Sequence, residues 1–146
     1  MTNIYLAGPF FDDEQVERIG RAEAALAANP QVGRVFSPRK NEIRDLTLGT
    51  PKWSDATFKM DVREIDQADV VVALIDYVDD QVDSGTAFEI GYAYHSQKPL
   101  VILHEKDTKV NLMLSESLTA YLQSTDALKT YDFATLPTSR YDGPVF

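Results

Sequence analysis

The sequence predicts a doubly wound α/β fold, with a mostly parallel sheet of about five strands and helices packed on both faces. Short apolar runs alternate along the chain with amphipathic stretches of helical spacing, the pattern of strand–helix–strand units joined by right-handed crossovers. The run Asp69-Val-Val-Val-Ala-Leu-Ile-Asp76 is apolar without interruption between acidic ends, as expected of a strand covered on both faces. Pro99-Leu-Val-Ile-Leu103 repeats that character.

In chain order, Asn3 to Ala7 reads as a first strand that runs into the structure-breaking pair Gly8-Pro9. Asp12 or Asp13 then caps a helix whose apolar positions Val16, Ile19, Ala22 and Leu26 recur at helical spacing, and Asn29-Pro30 stops it. Val32 to Phe36 is a second strand. From Ser37 to Trp53 the chain is polar and broken by Pro38, Gly49 and Pro51, which predicts a long loop. Helical periodicity returns from Trp53 to Ala68, before the Asp69–Asp76 strand. A helix carrying Glu89 follows, then the strand ending at Leu103, a helix from Leu112 to Leu122, and an irregular tail from Thr130 to Phe146. In such a sheet ligands bind outside the carboxyl ends of the strands. The segments after Ala7, Asp76 and Leu103 are therefore expected to converge.

The chain has 146 residues, 44% of them hydrophobic, enough for one core and one domain spanning residues 1–146. It contains no cysteine and only His95 and His104, which argues against a disulfide framework or a zinc centre and suits a reducing cytoplasm. No run approaches the roughly 18 apolar residues of a membrane span. A formal net charge of −9 opposes nucleic acid and anionic lipid as partners. Small neutral or cationic ligands, or a second copy of the chain, are easier to accommodate.

Three carboxylates stand out. Glu89 lies in Asp83-Ser-Gly-Thr-Ala-Phe-Glu-Ile-Gly-Tyr-Ala93, among small and apolar residues where a helix should pack on a sheet. Thr86 and Glu89 match a capping box, in which Glu89 would bond to a free backbone amide. Alternatively Gly85, Ala87 and Gly91 leave room for a ligand, and the helix N-terminus keeps Glu89 ionised as a nucleophile. Asp61 shares a stripe with Phe58 and Ile65, so burial should raise its pKa and suit it to proton donation; the plainer reading is an aspartate paired with a basic residue. Glu64 and Asp66 read as a solvated face. Asp83, nearest the helix among Asp79, Asp80 and Asp83, faces the same pocket or caps the helix. Phe10 and Phe11 pack as ordinary core or sandwich a flat heterocycle. His104 ends a strand near the crevice, and His95 falls beyond it. No G-x-G-x-x-G, P-loop or G-x-S-x-G sequence occurs.

Tyr5-Leu-Ala-Gly-Pro-Phe-Phe11, Asp61, the Asp83–Ala93 segment and Val110-Asn-Leu-Met113 together resemble the nucleoside 2-deoxyribosyltransferases across nearly the whole chain. The D-x-G-x-x-x-E-x-G-Y pattern from Asp83 to Tyr92 is the most specific part. The resemblance implies a flavodoxin-like fold, no cofactor, and exchange of the base of a 2′-deoxynucleoside for a free nucleobase. It implies that Glu89 is the nucleophile, that Tyr5 positions it, and that Asp61 and Asp83 bind the base and assist its protonation. It also implies that Asn111 and Met113 come from a neighbouring subunit of a homo-oligomer, commonly a hexamer built from dimers. The family's carboxyl terminus approaches the site; here that residue is Phe146 where relatives carry tyrosine, which leaves a role for the terminal carboxylate.

Those assignments make chemical sense. A nucleobase leaves well when protonated, while positive charge grows at the anomeric carbon, so an acid is needed on the base side and an anion on the sugar side. Two displacements through a covalent intermediate give net retention. Two other readings stand beside this one. A nucleotide N-glycosidase would need an anion cradle, and Gly8-Pro-Phe-Phe-Asp-Asp-Glu14 offers none. A receiver-like signalling domain could use Asp12, Asp13 and Asp76, but His104-Glu105 stands where its lysine is expected and Glu89 is left without a role.

Overall fold

A computed structural model describes the whole chain, Met1–Phe146. Its elements are β1 (Thr2–Ala7), α1 (Asp13–Ala28), β2 (Val32–Phe36), a 3-10 turn at Pro38–Lys40, α2 (Pro51–Gln67), β3 (Val70–Leu74), α3 (Ser84–His95), β4 (Leu100–Leu103), the single-turn α4 (Leu112–Ser115), β5 (Ala120–Leu122) and a 3-10 turn at Thr125–Lys129. The strands form one five-stranded sheet in the order β2-β1-β3-β4-β5. Every neighbouring pair is parallel. No helix is long and apolar enough to cross a membrane.

The pleat of the strands sorts the core into two layers, because successive side chains point to opposite faces. Ile4 and Leu6 of β1 join Val70, Val72 and Leu74 of β3 against Ile19, Ala22 and Leu26 of α1. Tyr5 and Ala7 face the other way, with Val71 and Ala73, against Ile65 of α2 and Ile90 and Ala93 of α3. Both faces of β3 are thus covered, which is why its sequence is apolar throughout. The same alternation puts the Tyr5 ring, fully buried, under α2 and α3.

The chain leaves β1 for α1 on one face and β3 for α3 on the other, so a crevice opens between the carboxyl ends of these adjacent strands. A Cβ at Gly8 would stand only 3.1 Å from Cβ of Leu74. A glycine therefore lets the end of β1 lie close against β3 before Phe10 and Phe11 turn over the crevice.

Three boundaries differ from the sequence reading. The helix expected from Leu112 to Leu122 ends at Ser115, where the Ser115 and Ser117 hydroxyls donate back to the carbonyls of Leu112 and Leu114. Thr119 then exchanges hydrogen bonds with Leu100 and sets Ala120–Leu122 beside β4 as the fifth strand. Within the expected 37–53 loop, Thr50 caps a helix that already begins at Pro51. The start of that loop is tied down: buried Glu23 of α1 accepts hydrogen bonds from Ser37 and Arg39 and lies 3.1 Å from the Lys40 ammonium.

Candidate active site

Tyr5, Asp61 and Glu89 arrive from β1, α2 and α3 and meet beneath the crevice. Tyr5 Oη donates a 2.6 Å hydrogen bond to Glu89 Oε1. The Tyr5 ring is wedged in place by Phe36 of β2, stacked 5.7 Å away. Glu89 thus takes its partner from the sheet; the capping-box expectation is not met, and Asp83 caps α3 by accepting from the Thr86 amide at 3.0 Å.

Burial pushes the Glu89 carboxyl up to about 8, helped by the nearby charges of Asp61 and Asp83, while the Tyr5 hydrogen bond pulls in the other direction. This corrects the expectation that the helix terminus keeps Glu89 ionised. Glu89 lies beyond the first turn of α3, where the helix field has faded, and desolvation wins. Asp61 is raised to about 6 by burial first and by Glu64 second, in line with the proton-donor reading. The Tyr5 phenol is driven far above its ordinary value by burial and by the carboxylates around it, so it remains a neutral donor. The Asp61 Oδ1 and Thr57 Oγ1 atoms, one turn apart on α2, are buried without hydrogen-bond partners.

Glu64 is not part of a solvated face. It is buried and lies 2.7 Å from Arg34 of β2. Asp66 is exposed and accepts from Tyr92 Oη. Phe10 and Phe11 stack with centroids 6.0 Å apart, and Phe11 meets Tyr77, just past β3, edge-on at 6.3 Å. Phe11 is 68% exposed, so this aromatic group forms a rim over the crevice.

The other three residues singled out in the sequence sit elsewhere. Asn111 caps α4 by accepting from the Met113 amide at 2.9 Å, and Met113 is 72% exposed. Phe146 exchanges backbone hydrogen bonds with this segment, donating to Val110 and accepting from Leu112. Asn111, Met113 and Phe146 are therefore joined in one hydrogen-bonded unit. They border a cavity of about 500 Å3 lined also by Ile90, Tyr94 and His104. None of Tyr5, Asp61 and Glu89 lines it, so the cavity and the convergent carboxylates of this chain are separate features.

His104 is structural in this setting. It is buried between Tyr121 Oη, 2.9 Å from Nδ1, and Thr108 Oγ1, 2.8 Å from Nε2. Burial holds its pKa low against the opposing charges of Asp76 and Asp107. His95 is exposed at the end of α3. Sequence reasoning missed Arg34, Thr57 and Tyr77; no local pattern marks them, because each matters through contacts distant in the chain.

A buried tyrosine bonded to a carboxylate beside a second carboxyl, set where strand order reverses, is the equipment of an α/β group-transfer enzyme. The family model described as nucleoside 2-deoxyribosyltransferase matches residues 4–125. A nucleoside deoxyribosyltransferase of Limosilactobacillus fermentum is 38% identical over 145 residues, covering 90% of this chain and 85% of that protein. One of Lactobacillus leichmannii is 26% identical over 155 residues, covering 98% and 97%. The solved structure of a 2-deoxyribosyltransferase from Bacillus psychrosaccharolyticus superposes with a TM-score of 0.87 at 38% identity, covering 95% of this chain and 98% of that one. The chain belongs to the nucleoside 2-deoxyribosyltransferase family.

Proposed function

We propose that this enzyme moves the 2-deoxyribosyl group of a 2′-deoxynucleoside from one nucleobase to another through a covalent bond to Glu89, with net retention. The observation that carries the reading is the Tyr5–Glu89 hydrogen bond beside Asp61. Tyr5 occupies Oε1 and aims the carboxylate, leaving Oε2 for the anomeric carbon. As that bond forms and the bond to the base breaks, Asp61 gives its proton to the departing base, with Asp83 assisting at the base. The incoming base attacks the glycosyl–Glu89 ester, Glu89 leaves as the carboxylate, and Asp61 recovers a proton from the new base. Two inversions restore the original configuration.

Transfer to a base in place of water calls for a dry pocket. Phe10 and Phe11 supply one wall. The rest is assigned to a second subunit, whose Asn111, Met113 and terminal Phe146 carboxylate complete the site within a homohexamer of dimers. Support for this comes from the exposure of Met113 and Phe146 and from the fact that the cavity they border with Asn111 is not lined by the chain's own Glu89.

A matrix of deoxynucleoside donors and free-base acceptors, run beside Glu89→Ala, tests the reaction. The variant should fold and lose nearly all transfer, and mass spectrometry of quenched wild-type enzyme should find the pentose on the peptide carrying Glu89. Substantial turnover without that side chain would overturn the assignment.

A further inference from the structure

His104 follows β4 directly and is 3% exposed, yet the proposed chemistry does not use it. Both ring nitrogens are engaged, Nδ1 with Tyr121 Oη and Nε2 with Thr108 Oγ1. A buried imidazole held at both ends fixes the two groups it bridges. Those groups form the seat of one residue, Tyr141. Its ring meets Tyr121 edge-on at 5.1 Å, and its hydroxyl stands 3.5 Å from the Thr108 carbonyl. From Pro137 to Phe146 every residue except Tyr141 is exposed.

Tyr141 in turn closes the end of the chain. Its hydroxyl donates to the Pro144 carbonyl at 2.9 Å, and the same oxygen accepts from the Val110 amide at 3.2 Å. Beyond that knot Phe146 pairs with Val110 and Leu112. Gly143 permits the fold-back, because a Cβ there would collide with the Tyr141 hydroxyl and ring. The base of the arrangement is fixed as well: Asp76, just past β3, accepts from the Glu105 and Lys106 amides at 2.8 and 2.7 Å and holds the turn after His104. We infer that His104 is a positioning residue for the carboxyl-terminal segment: through Tyr121 and Thr108 it seats Tyr141, and Tyr141 sets where the Phe146 carboxylate stands. The inference rests on the base-exchange reading, in which that carboxylate completes a neighbouring subunit's site.

Amide hydrogen exchange, followed by NMR, and the ratio of base transfer to hydrolysis test this together. His104→Phe keeps a ring and removes both nitrogens. The Val110, Leu112 and Phe146 amides, whose bonds hold the segment in place, should then exchange about 3- to 10-fold faster, the scale of one lost hydrogen bond. Base transfer should fall relative to hydrolysis. Gly143→Ala, which dislodges Tyr141 from the far end, should reproduce both effects, and the double variant should add little to either single one. Asn29→Ala removes hydrogen bonds to the Leu128 and Tyr131 carbonyls, away from the tail; it should lower stability and leave both readouts at wild-type values. Should His104→Phe fail to fold, Tyr121→Phe and Thr108→Val remove its partners' hydroxyls one at a time and decide in its place. Wild-type exchange at those three amides, an unchanged ratio, or the same changes in Asn29→Ala would overturn the inference. The exchange measurement requires no turnover, so a wrong reading of the reaction shows in the donor–acceptor matrix alone.

Discussion

Tyr5 and Glu89, 84 positions apart in sequence, share a 2.6 Å hydrogen bond in which the phenol donates and the carboxylate accepts. The bond favours the charged form of Glu89 against the pull of burial. Tyr5→Phe keeps the ring stacked on Phe36 and removes only the donor. It should lower kcat by about 100-fold, the scale of losing one donor to a catalytic oxygen, with little change in KM. Steady-state kinetics at several pH values check this; a wild-type kcat would show that Tyr5 is merely packing.

The carboxyl pair should give base exchange a bell-shaped pH profile. With Asp61 near 6 and Glu89 near 8, the pair holds a single proton between those values. The two titrations belong to the pair jointly. Reaction needs that proton on Asp61 and the charge on Glu89, whereas burial favours the reverse placement, so only a fraction of the one-proton state is competent. Limbs near pH 6 and pH 8 in kcat/KM are the expected result. A profile flat from pH 5 to 9 would rule out the paired arrangement.

Glu89 should also cost the fold stability at alkaline pH. Its folded pKa lies above the ordinary 4.5, so the penalty is absent below about pH 4, grows as pH rises through the interval up to about 8, and is complete above it. Glu89→Gln should therefore melt higher than the wild type at pH 9 and equally at pH 4. Partial access of water to the side chain limits the gain to roughly 1–2 kcal/mol. Differential scanning calorimetry at the two pH values decides it.

The carboxyl-terminal segment is tied in through Tyr141, whose hydroxyl donates to the Pro144 carbonyl at 2.9 Å and whose ring meets Tyr121 edge-on at 5.1 Å. A chain ending at Arg140 should keep its fold at some cost in stability, since every strand of the sheet lies outside that segment and only Tyr141 packs from it against a core layer. It should lose most base transfer or gain hydrolysis as water enters the pocket. Unchanged ratios of transfer to hydrolysis, measured by chromatography of the released sugar and bases, would remove the tail from the site.

Much of the fold was legible because three strands carry uninterrupted apolar runs, Ile4–Ala7, Val70–Leu74 and Leu100–Leu103. The fifth was hidden: Ala120–Leu122 is three residues long, and its leucine also fits the helical spacing begun at Leu112. Asp61 was readable because it interrupts an apolar stripe. Glu64 of α2 was misread because its partner Arg34 lies on β2 and nothing nearby in sequence signals the pairing. Thr86 and Glu89 satisfied a local capping rule, yet Tyr5 offers a stronger donor from the sheet, a tertiary contact overriding a local preference.

The backbone bonds joining Phe146 to Val110 and Leu112 bear on how the protein is handled. An affinity tag appended at that end would strain the backbone bonds that flank the Val110–Val145 bridge. Met1, 88% exposed and remote from that pairing, is the end on which to place fusions or surface attachment for immobilised use.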